Sequence, residues 1–146
     1  MSRRLAITLG VLVFLVVCIV AARWLTTEGR ERSAVLLLLK AQAAGDVDAV
    51  VDQLHGCAQR PGCRAQARVA VARTTRPGDV KILLLQSGTG YALGSATGVT
   101  RVAWTIVDGG LPVVQCVTVR RTGNALFGRE IVLERLSPPI DNEAAC

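Results

Sequence analysis

The residues best equipped for chemistry are five cysteines, Cys18, Cys57, Cys63, Cys116 and Cys146, and a single histidine, His55. Cys57 and Cys63 flank five residues that include Arg60-Pro61-Gly62. A turn there can bring their Cα atoms within the roughly 4.4 to 6.8 Å that a disulfide needs. Four cysteines lie outside the apolar N-terminal run, and an even number in a small exported domain is commonly a disulfide framework. Pairing Cys57 with Cys63 leaves Cys116 for Cys146 if all four are bridged. The alternative keeps Cys116 as a buried thiol in the run VVQCVTV, with Cys146 as an exposed thiol able to pair with another chain. His55, Cys57 and Cys63 are also zinc-type ligands, but their spacing is not that of the usual two-residue knuckle, and no metal is expected.

As a general base, His55 needs an orienting partner, and Asp52, three residues earlier, is the local candidate. The simpler reading is a histidine at a helix end, capping carbonyls or meeting solvent. Glu130 and Glu134 alternate with Ile131 and Leu133, which turns the acids outward, and Asp108 belongs to a turn. Gly88, Gly90 and Gly94 lie between two strand-like runs, whereas a phosphate loop leads from a strand into a helix, so they read as hairpin and bulge positions. There is no G-x-S-x-G, H-E-x-x-H or Walker-type run. No catalytic residue and no cofactor are assigned, and the chain is not expected to be an enzyme. Trp104, in step with Val102 and Ile106, is the main candidate to line an apolar ligand pocket, although tryptophan at such a position is more often core. Gln115, on the face of Val113, Val117 and Val119, and Tyr91, at a strand start, are the other two.

The element that positions all of these begins at the N-terminus. Leu5 to Ala22 carries no charge, and as a helix it reaches about 27 Å, close to the hydrocarbon thickness of a bilayer. Arg3 and Arg4 before it favour a cytoplasmic N-terminus and an extracytoplasmic domain, opposed in part by Arg23, Arg30 and Arg32 beyond it. Arg23 and Trp24 suit the interface. A cleaved signal peptide is the competing reading, since Val20-Ala21-Ala22 offers small residues for processing. The expected organisation is a signal-anchor over residues 1–25, a short charged stalk over 26–33, an extracytoplasmic α+β domain over 34–137 and a tail over 138–146. Residues 5–22 are expected to contact the membrane bilayer.

After the stalk, AVLLLLKAQAA reads as a buried helix that Gly45 ends; Asp46 caps a second helix, VDAVVDQL, and Gly56 closes it. RAQARVAVARTTR suits a third helix, stopped by Pro77-Gly78. From Asp79 the period becomes two, and DVKILLLQ, YALGSATG, TRVAWTIV, PVVQCVTVRR and ALFGREIVLERL are β-rich runs joined by short Gly-, Asn- and Asp-containing links. Helices first and a meander afterwards predict two or three helices packed on one face of a curved antiparallel sheet of four or five strands.

The "AAGDVDAVVDQL" helix pair, followed by an antiparallel sheet behind an N-terminal span, resembles the nuclear transport factor 2-like, or cystatin-like, superfold over residues 33–137. One span with such a domain is similar to actinobacterial membrane proteins associated with lipid-import complexes and to bitopic assembly factors of conjugation machines. Fifteen arginines against two lysines resemble the usage of a high-GC, actinobacterial genome. The resemblance implies a scaffold rather than a catalyst, with a protein partner or self-association. Beyond residue 22 the chain is only mildly positive, at +4. Aromatic residues make up 3% of the chain, too few for a stacking-based nucleic-acid surface, and no nucleic-acid partner is expected. The Arg60, Arg64, Arg68, Arg73 and Arg76 group could meet anionic headgroups, but most such residues on an outward domain are simply solvated. A non-enzymatic interaction module is the leading expectation, and a small apolar-ligand binder the alternative.

Overall fold

The computed structural model describes residues 3–90, 94–124, 128–141 and 144–146, and it is an α+β protein. α1 runs without a break from Arg3 to Ala43, and α2 (Val47–Gln53) and α3 (Cys63–Thr74) follow, with a 3-10 turn at Cys57–Gln59 between them. β1 (Val80–Gln86), β2 (Ala96–Ile106), β3 (Val113–Asn124) and β4 (Gly128–Leu136) form one antiparallel sheet in sequence order.

The charged stalk expected at 26–33 is part of α1. Gly29 on its own costs a helix only about 1 kcal/mol, and the polar residues around it find partners compatible with helix. Thr26 and Ser33 donate their hydroxyls to the Arg23 and Gly29 carbonyls. Arg30 and Arg32 reach the sheet instead, donating to the carbonyls of Arg129 and Ile82, both at 3.3 Å. The segment Arg4–Arg23 is long and apolar enough to cross a membrane and has no part buried against the rest of the chain. At 1.5 Å per residue α1 is about 60 Å long; its first half is the candidate span and its second half a core helix of the domain.

The end of α1 follows its sequence. Gly45 adopts φ +81°, the Asp46 N–H donates to the Ala41 carbonyl at 3.0 Å, and the Asp46 side chain accepts from the Ala49 N–H at 2.9 Å, capping α2. Of the five β-rich runs, the second is described only from residue 94 onward, and its final residues, Ala96 to Gly98, start β2, which continues through Val99 into TRVAWTI. Tyr91 lies outside the described residues, as does the side chain of Trp24.

The inward face of the sheet presents Val102, Trp104 and Ile106 from β2, Val117 and Val119 from β3 and Leu133 from β4. Against it pack Val35, Leu38 and Leu39 of α1, Val50 and Val51 of α2, and Ala67, Ala70 and Val71 of α3. The tail beyond β4 remains beside β3, where Ile140 bridges to Val114. The outward face keeps Leu84 and Val99 exposed, with Leu83 exposed at the β1 bulge.

Candidate functional site

The sequence candidates separate into structural bonds and surface. Cys57 and Cys63 are bridged, with Cα atoms 5.4 Å apart, and Cys116 and Cys146 are bridged at 5.7 Å. The second bond fastens the tail to the outer face of β3, and the free-thiol alternative for Cys116 gives way to it. Two bridges in so small a domain fit an oxidising, extracytoplasmic setting. Cys18, in the apolar span, is free.

Trp104 and Gln115 are both fully buried. The Trp104 indole N–H donates to Gln115 Oε1 at 2.9 Å, and Gln115 Nε2 donates to the Ser137 carbonyl at 3.0 Å. This chain pairs the buried polar atoms of Trp104 and Gln115 and stitches the start of the tail to the core; with no exposed surface, neither side chain faces an open cavity.

His55 is exposed. Its backbone does the bonding: the N–H donates to Leu133 at 2.7 Å and the carbonyl accepts from Arg60 Nη2 at 2.8 Å. Asp52, His55 and Glu130 share a recess of about 430 Å³ along the edge of β4 with Leu37, Gln53 and Ile131. Both proposed members of the acid–base pair are exposed, so neither is held in the desolvated setting that general-base work favours. Among the described residues no group of three His, Cys, Asp or Glu side chains could hold a metal ion. Arg60 ties the disulfide loop to the sheet through the His55, Gly56 and Glu134 carbonyls, and Arg64 makes an exposed ion pair with Asp48.

The most organised polar cluster is one that the sequence reading passed over. Glu31 is fully buried and Arg121 is 1% exposed. The Arg121 Nε donates to Glu31 Oε2 at 3.1 Å, Nη2 closes a second bond to the same oxygen, and Nη1 donates to the Thr89 carbonyl at 3.2 Å. Glu31 Oε1 accepts from Thr100 Oγ1 at 2.6 Å, and Ser87 Oγ adds a bond to Oε2 at 3.0 Å. The loop after β1 reaches this point because Gly88 and Gly98 let two backbones touch. A Cβ on Gly88 would stand 2.4 Å from the Val99 carbonyl oxygen.

A periodic signal for the cluster does exist in the chain. Glu31 falls in helical phase with the buried Val35, Leu38, Leu39 and Gln42, Arg121 in strand phase with Gln115, Val117 and Val119, and Thr100 with Val102 and Trp104. Chemically the cluster is internally paired: the carboxylate accepts from four side chains, and the guanidinium donates to three groups, the Glu31 carboxylate, the Ser87 hydroxyl and the Thr89 carbonyl. It joins the second half of α1 to three segments of the sheet domain, about 12 Å along the axis from Arg23, where the candidate span ends. Neither a family model, a curated protein nor a solved structure matches this chain.

Proposed function

We propose that this chain is a membrane-anchored, non-enzymatic interaction module: an extracytoplasmic α+β domain of the nuclear transport factor 2-like kind, carried on a cytoplasmic-N-terminal span and docking onto a protein partner or a second copy. The observation that carries this reading is the continuous α1, whose outer half is core and is locked to the sheet by the buried Glu31–Arg121 pair. A tethered enzyme or ligand carrier does well with a loose stalk, whereas a scaffold gains from a fixed orientation to the bilayer. The filled interior around Trp104 and Gln115 weighs in the same direction. The outward sheet face, with Leu84 and Val99 exposed, is the surface offered to a partner.

The test is a photo-crosslinking residue placed at Val99, and separately at the exposed Arg73 of α3, in the full chain in native membranes. A discrete protein adduct from Val99 and none from Arg73 is the expected result. No adduct at Val99, together with a small apolar molecule retained by the protein in native mass spectrometry, would overturn the module in favour of a ligand binder.

A further inference from the structure

Arg129, at the start of β4, is 5% exposed, and its Nε, Nη1 and Nη2 are all buried without a hydrogen-bond partner. It shares the helix-facing side of β4 with Ile131 and Leu133, in the alternation of a strand. The contrast with Arg121 on β3 is complete, since every nitrogen of that guanidinium is satisfied. Glu31 is bonded by Arg121, Ser87, Thr89 and Thr100, and Arg129 makes no bond to it. Instead, Arg30 lies next to Arg129 and donates Nη1 to its carbonyl at 3.3 Å. The head of an arginine from α1 is thus held against the backbone of the β4 residue whose own guanidinium is unpaired.

An unpaired buried guanidinium is among the costliest arrangements a fold can hold, and one that persists calls for an ion or ligand to account for it. The planar fork of arginine matches the oxygens of a phosphate. Position selects the source. Arg30 lies seven residues past Arg23, about 10 Å beyond the end of the span, where the headgroup layer, about 5 to 8 Å deep on each side, gives way to water. Helical side chains lean toward the helix N-terminus, which here is the membrane, and arginine is long enough to reach back to the headgroups.

We propose that Arg129 and Arg30 form a phosphate site for the headgroup of an anionic phospholipid, at the membrane-facing end of the domain. The site is closed as it stands, so binding requires the Arg129 side chain to turn from beneath α1 toward the headgroups. The exchange replaces an unpaired buried charge with charge-assisted bonds. The proposal rests on the anchored reading above, and retention of the chain in carbonate-washed membranes reports on that reading separately.

The test follows the thermal midpoint of the full chain in zwitterionic micelles, with added phosphatidylglycerol, phosphatidylcholine or inorganic phosphate at matched ionic strength. Phosphatidylglycerol is expected to raise the midpoint by about 5 to 10 °C at saturation, and phosphatidylcholine to leave it unchanged. Arg129→Met should fold at least as well as the parent, because an unpaired charge is removed, and should lose the phosphatidylglycerol shift. Arg30→Gln, at an exposed position, should halve it, and Arg73→Gln, the same charge change at the far end of α3, should leave it whole. An undiminished shift in both Arg129→Met and Arg30→Gln, or an equal loss in Arg73→Gln, would overturn the site. The same shift from inorganic phosphate would overturn the lipid as its source.

Discussion

The two ends of the helix–sheet interface are built from opposite materials. Far from the span, Leu38, Leu39, Val50, Trp104 and Val117 form an apolar layer; near it, Glu31, Thr100 and Arg121 form a buried ionic one. Apolar burial is non-directional and scales with area, so by itself it would tolerate α1 sliding or rolling on the sheet. The ionic end does not, because a shift of one residue on α1 or on β3 would leave two buried charges without partners. Stability comes mainly from the distal end and register from the proximal one. Since α1 also contains the candidate span, that register fixes how the domain is set relative to the apolar segment Arg4–Arg23.

The comparison can be broken most sharply at the charges. Glu31→Ala leaves Arg121 buried and uncompensated and should cost about 3 to 5 kcal/mol in urea unfolding of the full chain in micelles. The double substitution Glu31→Met with Arg121→Met should recover most of that loss. If the single substitution costs little, the ionic end does not hold α1.

The disulfides come next, because each closes a covalent loop at the margin of the apolar core. Loop-closure arithmetic gives about 4 kcal/mol for the bridge across the tail, Cys116–Cys146, and about 2 kcal/mol for the tight Cys57–Cys63 loop. Cys116→Ser should therefore destabilise the oxidised protein more than Cys57→Ser. Alkylation of the intact chain should label Cys57, Cys63, Cys116 and Cys146 only after reduction. Labelling of these thiols without reduction would remove the oxidising compartment from the reading.

The smallest effect sharpens the apolar end. Trp104→Phe keeps an aromatic ring but removes the donor to Gln115, orphaning a buried amide oxygen, and should cost about 1 to 3 kcal/mol while leaving Cys116–Cys146 formed. An unchanged midpoint would show that the Trp104–Gln115–Ser137 chain is incidental to the core.

Some of this organisation is plain in the residues. The uncharged stretch from Leu5 to Ala22, the Gly45-Asp46 junction between α1 and α2, the Pro77-Gly78 stop and the change of period at Asp79 are local signals with local causes, and the helices-then-meander order follows from them. The Cys57–Cys63 pair was also legible, because its closing turn lies within the same seven residues. Less was legible where local and tertiary signals compete. TTEGRERS reads as a stalk because polarity and Gly29 weaken a helix, yet partners on β1, β2 and β3 more than offset that weakness. The break expected at Gly98-Val99-Thr100 is absent and β2 runs through it, because Gly98, which looks like a turn residue, lets another backbone approach.

The sequence by itself determined the number and type of most elements, the candidate span and the inward phase of β2, β3 and β4, since these depend on period, capping and turn chemistry within a few residues. Only the tertiary structure decided which inward polar residues meet. Glu31 and Arg121 are ninety residues apart, and nothing local distinguishes an arginine that finds its carboxylate from one, Arg129, that does not. That difference arises from strand register and from the angle at which α1 crosses the sheet, both properties of the assembled chain.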